Sequence, residues 1–424
     1  MGYRTHVLKG LRWNGLLRVA SKAAVFFKVI VAYRFLSPRE VGLYGLALIA
    51  LGLLEQLTET GVNVIIVKEK KPLSYYIDTA FLVSIGRGII IALILLASAF
   101  FLPSFFRDNG LFSLLLLASI IPFIRGFINP AVAKYQKNLQ FGLDSLIKFL
   151  PVLSDVFFSI AFAFTWHSAF GIVFGLLCSA IVEVATSWIC VTPRPKLRFR
   201  KEVYRAIVSP GKWINIAGIM TYAEQNFDNV IVGRMLGATA LGFYQTAFNI
   251  TSSLIGDIGL TFSQVLLPIY GKIEHDRKRL VRAVLMVFIP AAIVMAIPVV
   301  LLNFSIIQSI LIFFLKDKWR PMLPLLPYLS IAAWFTGMNL LCNPLFLVTR
   351  RYKMMVALYG SNLVLLIILL VVIIPMQGLV GATKAVLVAR MLLQPLYIWQ
   401  ARRSLRTRTH VSDQQFATAA VRLE

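Results

Sequence analysis

Residues 34–47 read RFLSPREVGLYGLA, and residues 234–247 read RMLGATALGFYQTA. The two stretches align without a gap at an offset of 200. Arg34 falls on Arg234, Leu36 on Leu236, Gly42 on Gly242, Tyr44 on Tyr244 and Ala47 on Ala247. The match runs upstream through Trp13/Trp213, Ala23/Ala223 and Phe27/Phe227. Two echoes follow in the same order. Asn129-Pro130 and Asn343-Pro344 each stand near the end of an apolar segment, and Gly171/Gly175 and Gly378/Gly381 each open one. Apolar helices resemble one another by chance, but three matches in matching order point to an internal duplication.

The surrounding composition says what is duplicated. Of 424 residues, 58% are apolar and only 14% are charged, yet Lys+Arg is 43 against Asp+Glu 18, a net charge of +25. Such apolarity excludes a disordered chain and an ordinary soluble enzyme. Basicity alone would suggest nucleic acid, but a nucleic-acid binder needs a water-facing surface that this composition does not leave. An integral membrane protein reconciles the two, with roughly a dozen spans of ~20 residues using most of the chain. Cys178, Cys190 and Cys342 lie in apolar runs without metal-ligand or disulfide spacing, and His6, His167, His275 and His410 fall in loops or tails. Neither a Ser/Cys–His catalytic pair nor a bound cofactor is expected. The basic N-terminus leads into an apolar stretch carrying Arg18, Lys22 and Lys28, which reads as a retained first helix and not a cleaved signal peptide.

Twelve helices are expected, at 13–36, 41–67, 77–106, 111–133, 146–166, 169–192, 208–236, 240–270, 283–315, 321–348, 354–375 and 378–400. Their loops sort by charge. One alternate set, with the tails, carries 28 Lys and Arg; the other carries five: Arg39, Arg107, Lys316, Lys318 and Arg320. By the positive-inside rule both termini are cytoplasmic. The basic loop Arg194–Arg205 divides an N-terminal six-helix lobe, 1–200, from a C-terminal lobe, 201–424, with a short basic tail. The expected fold is all-α, about twelve transmembrane helices forming two parallel six-helix repeats around a central cavity. Parallel halves enclosing a cavity are an arrangement that transporters need and anchors do not.

Ionisable residues inside spans are costly and face the bundle interior or a water-filled cavity. Arg18, Lys22, Arg87 and Arg125 fall ~8–15 Å from the cytoplasmic ends of their helices, at ~1.5 Å per residue. With Lys28 deeper, they form a candidate anion site, since Arg suits bidentate phosphate recognition. Glycines beside Arg87 and Arg125 (Gly86, Gly88, Gly126) would leave room for a bulky headgroup. The competing reading is snorkelling to headgroups or internal pairing, with Glu55 and Glu59 at depths near Lys28 and Lys22. Glu55, Glu59, Glu224, Asp228 and Asp257 are candidate coupling-ion or gating groups, and Asp155 and Glu183 are further buried acids. Lys28 and Asp228 occupy equivalent repeat positions with opposite charge, so they would meet in one state and separate in another. Prolines within spans, Pro122, Pro151, Pro268, Pro290 and Pro298 among them, would break or hinge helices.

These features together resemble the polysaccharide-transporter branch of the multidrug/oligosaccharidyl-lipid/polysaccharide superfamily, the Wzx-type flippases of O-antigen and exopolysaccharide synthesis. The pattern D-N-x-x-[IV]-G-x-x-L-G-x-x-x-L-G-x-Y carries the resemblance as Asp228, Asn229, Val232, Gly233, Leu236, Gly237, Leu241, Gly242 and Tyr244. It implies a multi-pass protein of the bacterial cytoplasmic membrane that moves undecaprenyl-diphosphate-linked oligosaccharide repeat units between leaflets. Alternating access would be driven by protons or sodium, and a polysaccharide polymerase and export machinery would be partners. The sugar would be lined by polar residues such as Gln56, Asn226, Gln264 and Asn339. Membrane lipids are partners by construction, and nucleic acid is not. Drug export within the same superfamily would favour an acidic, aromatic cavity. A membrane-embedded glycosyltransferase or polymerase would need a large catalytic loop, and the non-cytoplasmic loops are short.

Overall fold

The computed structural model describes residues 3–58, 73–138, 140–208, 212–273, 276–349 and 351–406, and among these every regular element is a helix. The first quoted stretch sits at a chain reversal. Helix α1 (Tyr3–Phe35) ends just before Ser37, whose side-chain oxygen accepts the Glu40 N–H, and Pro38 takes the first turn of α2 (Pro38–Leu57). A Ser cap followed by Pro is a strong helix start, because neither orphan N–H is left open there.

The segment expected at 77–106 divides into α3 (Leu73–Ser98) and the short α4 (Leu102–Phe106). Pro103 starts the second piece and Arg107, at φ 57°, closes it. The expected 111–133 ends early, as α5 (Gly110–Arg125), before a short 3-10 turn and α6 (Ala133–Lys137) that bend away by 63°. Asn129 makes that break. Its side-chain oxygen accepts the Ala131 N–H, while its amide donates to the Val191 and Pro193 carbonyls. Then follow α7 (Phe141–Trp166), α8 (Ala169–Ile189) and a short amphipathic α9 (Lys201–Val208) in what reads from sequence as a loop.

Helix α10 (Lys212–Thr251) contains the second quoted stretch and breaks at Gly237, whose φ of 84° and ψ of 173° belong to glycine alone. After a π turn come α11 (Asp257–Ile273), α12 (Arg277–Asn303), α13 (Ser305–Leu315), a 3-10 segment, and α14 (Leu326–Val348). The expected 283–315 therefore splits, at an extended Phe304. Pro290 and Pro298 do not break α12. Helix α15 (Tyr352–Arg406) breaks at Gly378, φ 58°.

Among the described residues eight helices are long and apolar enough to cross a membrane, or nine if the bent pair after Gly110 is one span. Two of the eight run 56 and 53 residues. At ~1.5 Å per residue each would measure about 80 Å, against ~30 Å of hydrocarbon, so each is two arms joined at its glycine. The chain is an all-α multi-pass membrane protein. The expected second helix, 41–67, is described only to Thr58; residues 59–72 lie outside the described residues.

The chain gathers into two compact units: the described residues to Thr246 with Ser309–Leu323, and Ala247–Gln308 with those from Pro324. In the first unit the loops of the charge-rich set meet one another. Lys134 donates to the Thr192 carbonyl, Tyr135 to the Cys190 carbonyl at 2.9 Å, and Lys196 N–H to Asp78 at 2.8 Å. The charge-poor loops meet at the other helix ends. Arg39 forks onto Asp108 at 2.9 and 2.5 Å, and Glu40 accepts from Ser168 Oγ at 2.9 Å and Ala169 N–H at 2.6 Å. Between these ends the two quoted stretches cross. A Cβ on Gly42 would collide with the Ala238 carbonyl oxygen, and one on Gly242 with the Pro38 carbonyl oxygen. The two contacts exchange under the offset of 200, as a two-fold relation between the repeats requires.

In the second unit a similar crossing uses Gly259. A Cβ there would stand 2.6 Å from the Gly337 Cα, and Met295 fills the space beside Gly337.

Candidate functional site

Four charged residues from four helices converge in the first unit. Arg125 closes α5 and Arg87 lies inside α3. These helices cross at Gly88 and Gly126: a Cβ on Gly88 would stand 2.5 Å from the Pro122 carbonyl oxygen and 3.1 Å from the Gly126 Cα. Both glycines are thus consumed by helix packing, not by headgroup space, which corrects the expectation for them. Gly86 alone has nothing within 4 Å of its missing Cβ.

That crossing sets both arginines against the end of α2. Arg125 Nη1 is 3.2 Å from Glu55 Oε1, and its Nε is 3.2 Å from Glu183 Oε2 on α8. The second approach lies within ion-pair range but is not aligned as a hydrogen bond. Arg87 donates from Nη2 to the Glu55 backbone carbonyl at 2.6 Å and from Nε to Thr58 Oγ1 at 3.1 Å. The Arg125, Glu55 and Glu183 side chains are 33%, 34% and 36% exposed. Charges within spans are costly unless paired or solvated, and here four of them gather in one half-open cluster. Tyr222 of α10 borders it, donating to the Ile49 carbonyl at 3.0 Å within electrostatic reach of Glu55. Gln56 packs where a Cβ on Gly218 would stand.

Lys28, another of the expected cations, goes elsewhere. It is buried and donates to Asp155 Oδ2 at 2.7 Å, while Ser159 Oγ donates to Asp155 Oδ1 at 2.9 Å. Tyr44 lies within electrostatic reach of Asp155. Lys28 thus pairs with neither Glu55 nor Asp228 in this structure. Lys22 is exposed; the Arg18 side chain and Glu59 lie outside the described residues.

Asp228 has its own set of donors. Tyr244 Oη donates to Oδ2 at 2.5 Å, and the Asn229 N–H and Nδ2 donate to Oδ1 at 2.8 and 2.9 Å. Asp228 and Tyr244 are both fully buried. The Asp, the Asn and the Tyr of the quoted signature are therefore one hydrogen-bonded cluster, 16 residues apart in sequence and closed by the break at Gly237. Glu224, one turn earlier, is buried; Asp257 is half-buried at the start of α11. Of the expected sugar-facing groups, Gln264 is exposed, Asn226 donates to the Tyr222 carbonyl at 2.9 Å, and Asn339 is buried with its Oδ1 lacking a hydrogen bond.

Two features escape the sequence reading. Asp155 and Glu183 were legible as buried acids but their partners were not. Arg390 was missed altogether: it is 4% exposed on the second arm of α15 and donates to Thr336 Oγ1. Its signal was present, an arginine inside the apolar run from Ala385 to Leu393. Among the described residues no group of three His, Cys, Asp or Glu could hold a metal ion.

Comparison with known proteins bears on this geometry. A family model described as "Polysaccharide biosynthesis protein" matches residues 30–324, which include the four-residue cluster and both quoted stretches. The lipopolysaccharide biosynthesis protein WzxC of Escherichia coli (strain K12) is 20% identical over 394 residues, covering 92% of this chain and 80% of that protein. Among solved structures, the lipid II flippase MurJ in an inward closed conformation matches with a TM-score of 0.74 at 14% identity, over 92% of this chain and 88% of that one. An inward-facing multidrug resistance MATE family transporter of the MOP superfamily matches with a TM-score of 0.69 at 15% identity, over 91% and 94%. Likeness at such identities shows the fold, whereas the family match spans more than half of the chain. The chain belongs to the polysaccharide biosynthesis protein family.

Proposed function

We propose that this protein is a lipid-linked oligosaccharide flippase. It moves undecaprenyl-diphosphate-linked repeat units from the cytoplasmic to the outer leaflet of a bacterial inner membrane, for lipopolysaccharide or exopolysaccharide synthesis. The observation that carries the reading is the convergence of Arg87 and Arg125 on the end of α2, one-third open, inside an otherwise apolar bundle. Guanidinium groups from different helices supply the paired, fork-shaped donors that a diphosphate accepts. A prenyl tail stays in lipid while the headgroup crosses, so the cations need only a lateral recess. The names of the relatives, a lipopolysaccharide biosynthesis protein and a lipid II flippase, support the same substrate class.

In this reading the halves 1–200 and 201–424 rock about their common axis around a central cavity, with both termini cytoplasmic. A proton or sodium gradient drives the cycle through acids within the spans, and polymerase and export machinery receive the product. Transport, not catalysis, is the activity. Drug export rests on the fold likeness to the multidrug transporter; tight binding of a cationic dye with indifference to prenyl diphosphate would favour it instead.

The test is export. Arg87→Ala and Arg125→Ala are each expected to abolish surface polysaccharide while the protein still accumulates in the membrane. Normal polysaccharide in both strains would overturn the anion site.

A further inference from the structure

We propose that Glu55 and Glu183 are resident counter-ions that occupy Arg125 in place of the substrate's phosphates and are displaced when an anionic headgroup binds. The proposal rests on the flippase reading and adds two residues with a defined role, lowering affinity so that the headgroup can leave.

The geometry of Arg125 points to this. A guanidinium often takes one carboxylate through two parallel N–H bonds. Arg125 instead divides itself between carboxylates on two different helices, one contact each at 3.2 Å, and its Nε is not aligned with Glu183. A phosphate offering two oxygens along one edge would make better bonds than those it replaces. Charge points the same way. Among the described residues Arg87, Arg125, Glu55 and Glu183 sum to zero, so the carboxylates compete with a diphosphate for the guanidinium donors.

Withdrawal is feasible here and not at the neighbouring pair. The Arg125, Glu55 and Glu183 side chains are about one-third exposed, so a released carboxylate is not sealed in a dry core. Lys28 and Asp155 side chains are 8% and 11% exposed, and separating them would strand both charges. Arg87 is held in part through the Glu55 backbone carbonyl and Thr58, contacts that movement of the Glu55 carboxylate leaves in place. A carrier must bind well enough to load and loosely enough to unload. Competing carboxylates supply that balance without changing the donors.

The experiment measures binding of farnesyl diphosphate to the purified full chain in nanodiscs, with inorganic pyrophosphate as competitor. Glu55→Gln and Glu183→Gln are each expected to tighten binding about three- to tenfold, the range of a partly exposed ion pair. Arg125→Gln is expected to weaken it by a similar factor, and adding Glu183→Gln to Arg125→Gln to change nothing further, because the glutamate acts through that arginine. Pyrophosphate is expected to compete, more weakly than the prenyl form. Glu183→Asp, which shortens the reach to Arg125, should give an intermediate gain and serves if the Gln variant does not fold. Unchanged or weaker binding in both Gln variants, with Arg125→Gln still impaired, would overturn the counter-ion role and leave the flippase reading standing. Unchanged binding in Arg87→Gln and Arg125→Gln would remove that reading itself.

Discussion

Residues 34–47 and 234–247 perform the same chain reversal by different chemistry. In the first, Ser37 caps α2 and Pro38 fixes its first turn. In the second, the equivalent of Ser37 is Gly237, which turns the chain through a backbone conformation closed to other residues. What the repeats share is the crossing itself: Gly42 against Ala238 and Gly242 against Pro38. What they do not share is buried polar content. Position 28 is a lysine paired with Asp155, whereas position 228 is an aspartate satisfied by Tyr244 and Asn229. A duplicated fold keeps its close backbone contacts and lets each half choose its own polar partners.

Several substitutions would break or sharpen that contrast. Lys28→Met should cost the most, about 3–5 kcal/mol, because it strands a buried Asp155, and Lys28→Met with Asp155→Leu should recover most of the loss. Thermal unfolding of the purified proteins reads this; equal stability of single and double variants would mean that the pair is not isolated from water. Gly42→Ala and Gly242→Ala should each cost about 1–3 kcal/mol by the same measurement, and nearly equally, since each Cβ drives into a backbone carbonyl. Tolerance of one but not the other would deny the two-fold crossing. Tyr244→Phe should cost about 1–2 kcal/mol, less than Lys28→Met, because the Asn229 donors remain on Asp228. Exchanging charges, Lys28→Asp with Asp228→Lys, is expected to give no rescue in this state, as each residue has a partner of its own. The smallest effect belongs to Ser37→Gly, a few tenths of a kcal/mol at about the level of a lost cap replaced by glycine, against about 1–3 kcal/mol for Gly237→Ala.

Much of the fold was legible because it depends on patterns that repeat. Apolar length marked the spans, and charge sorted the loops into sets that do meet one another in the first unit. The offset of 200 located the crossing at Gly42 and Gly242. Breaks inside apolar runs were harder. Those at Phe304 and after Arg125 arise from backbone turns and from Asn129 reaching Val191 and Pro193, neighbours more than 60 residues away that no local pattern announces. Prolines misled in the opposite sense, since Pro290 and Pro298 sit within an unbroken helix. Charge within the spans showed that Arg87 and Arg125 were worth attention, but not that Glu55 lay between them and Glu183 beside. The glycines next to them looked like headgroup space and are helix contacts, because a missing side chain reads the same whether filled by a ligand or by a neighbouring backbone.

Trp319 is fully buried, stacks on Tyr33 with ring centroids 5.7 Å apart, and donates its indole N–H to the Tyr33 carbonyl at 3.0 Å. The two residues are 286 positions apart. A ribosome adding about 5–20 residues per second delivers the tryptophan roughly 15–60 s after the tyrosine. Through that interval the end of the first helix is already made while its cover is still unsynthesised. Biogenesis of this protein therefore includes a waiting period that has no counterpart in a chain whose domains close in order.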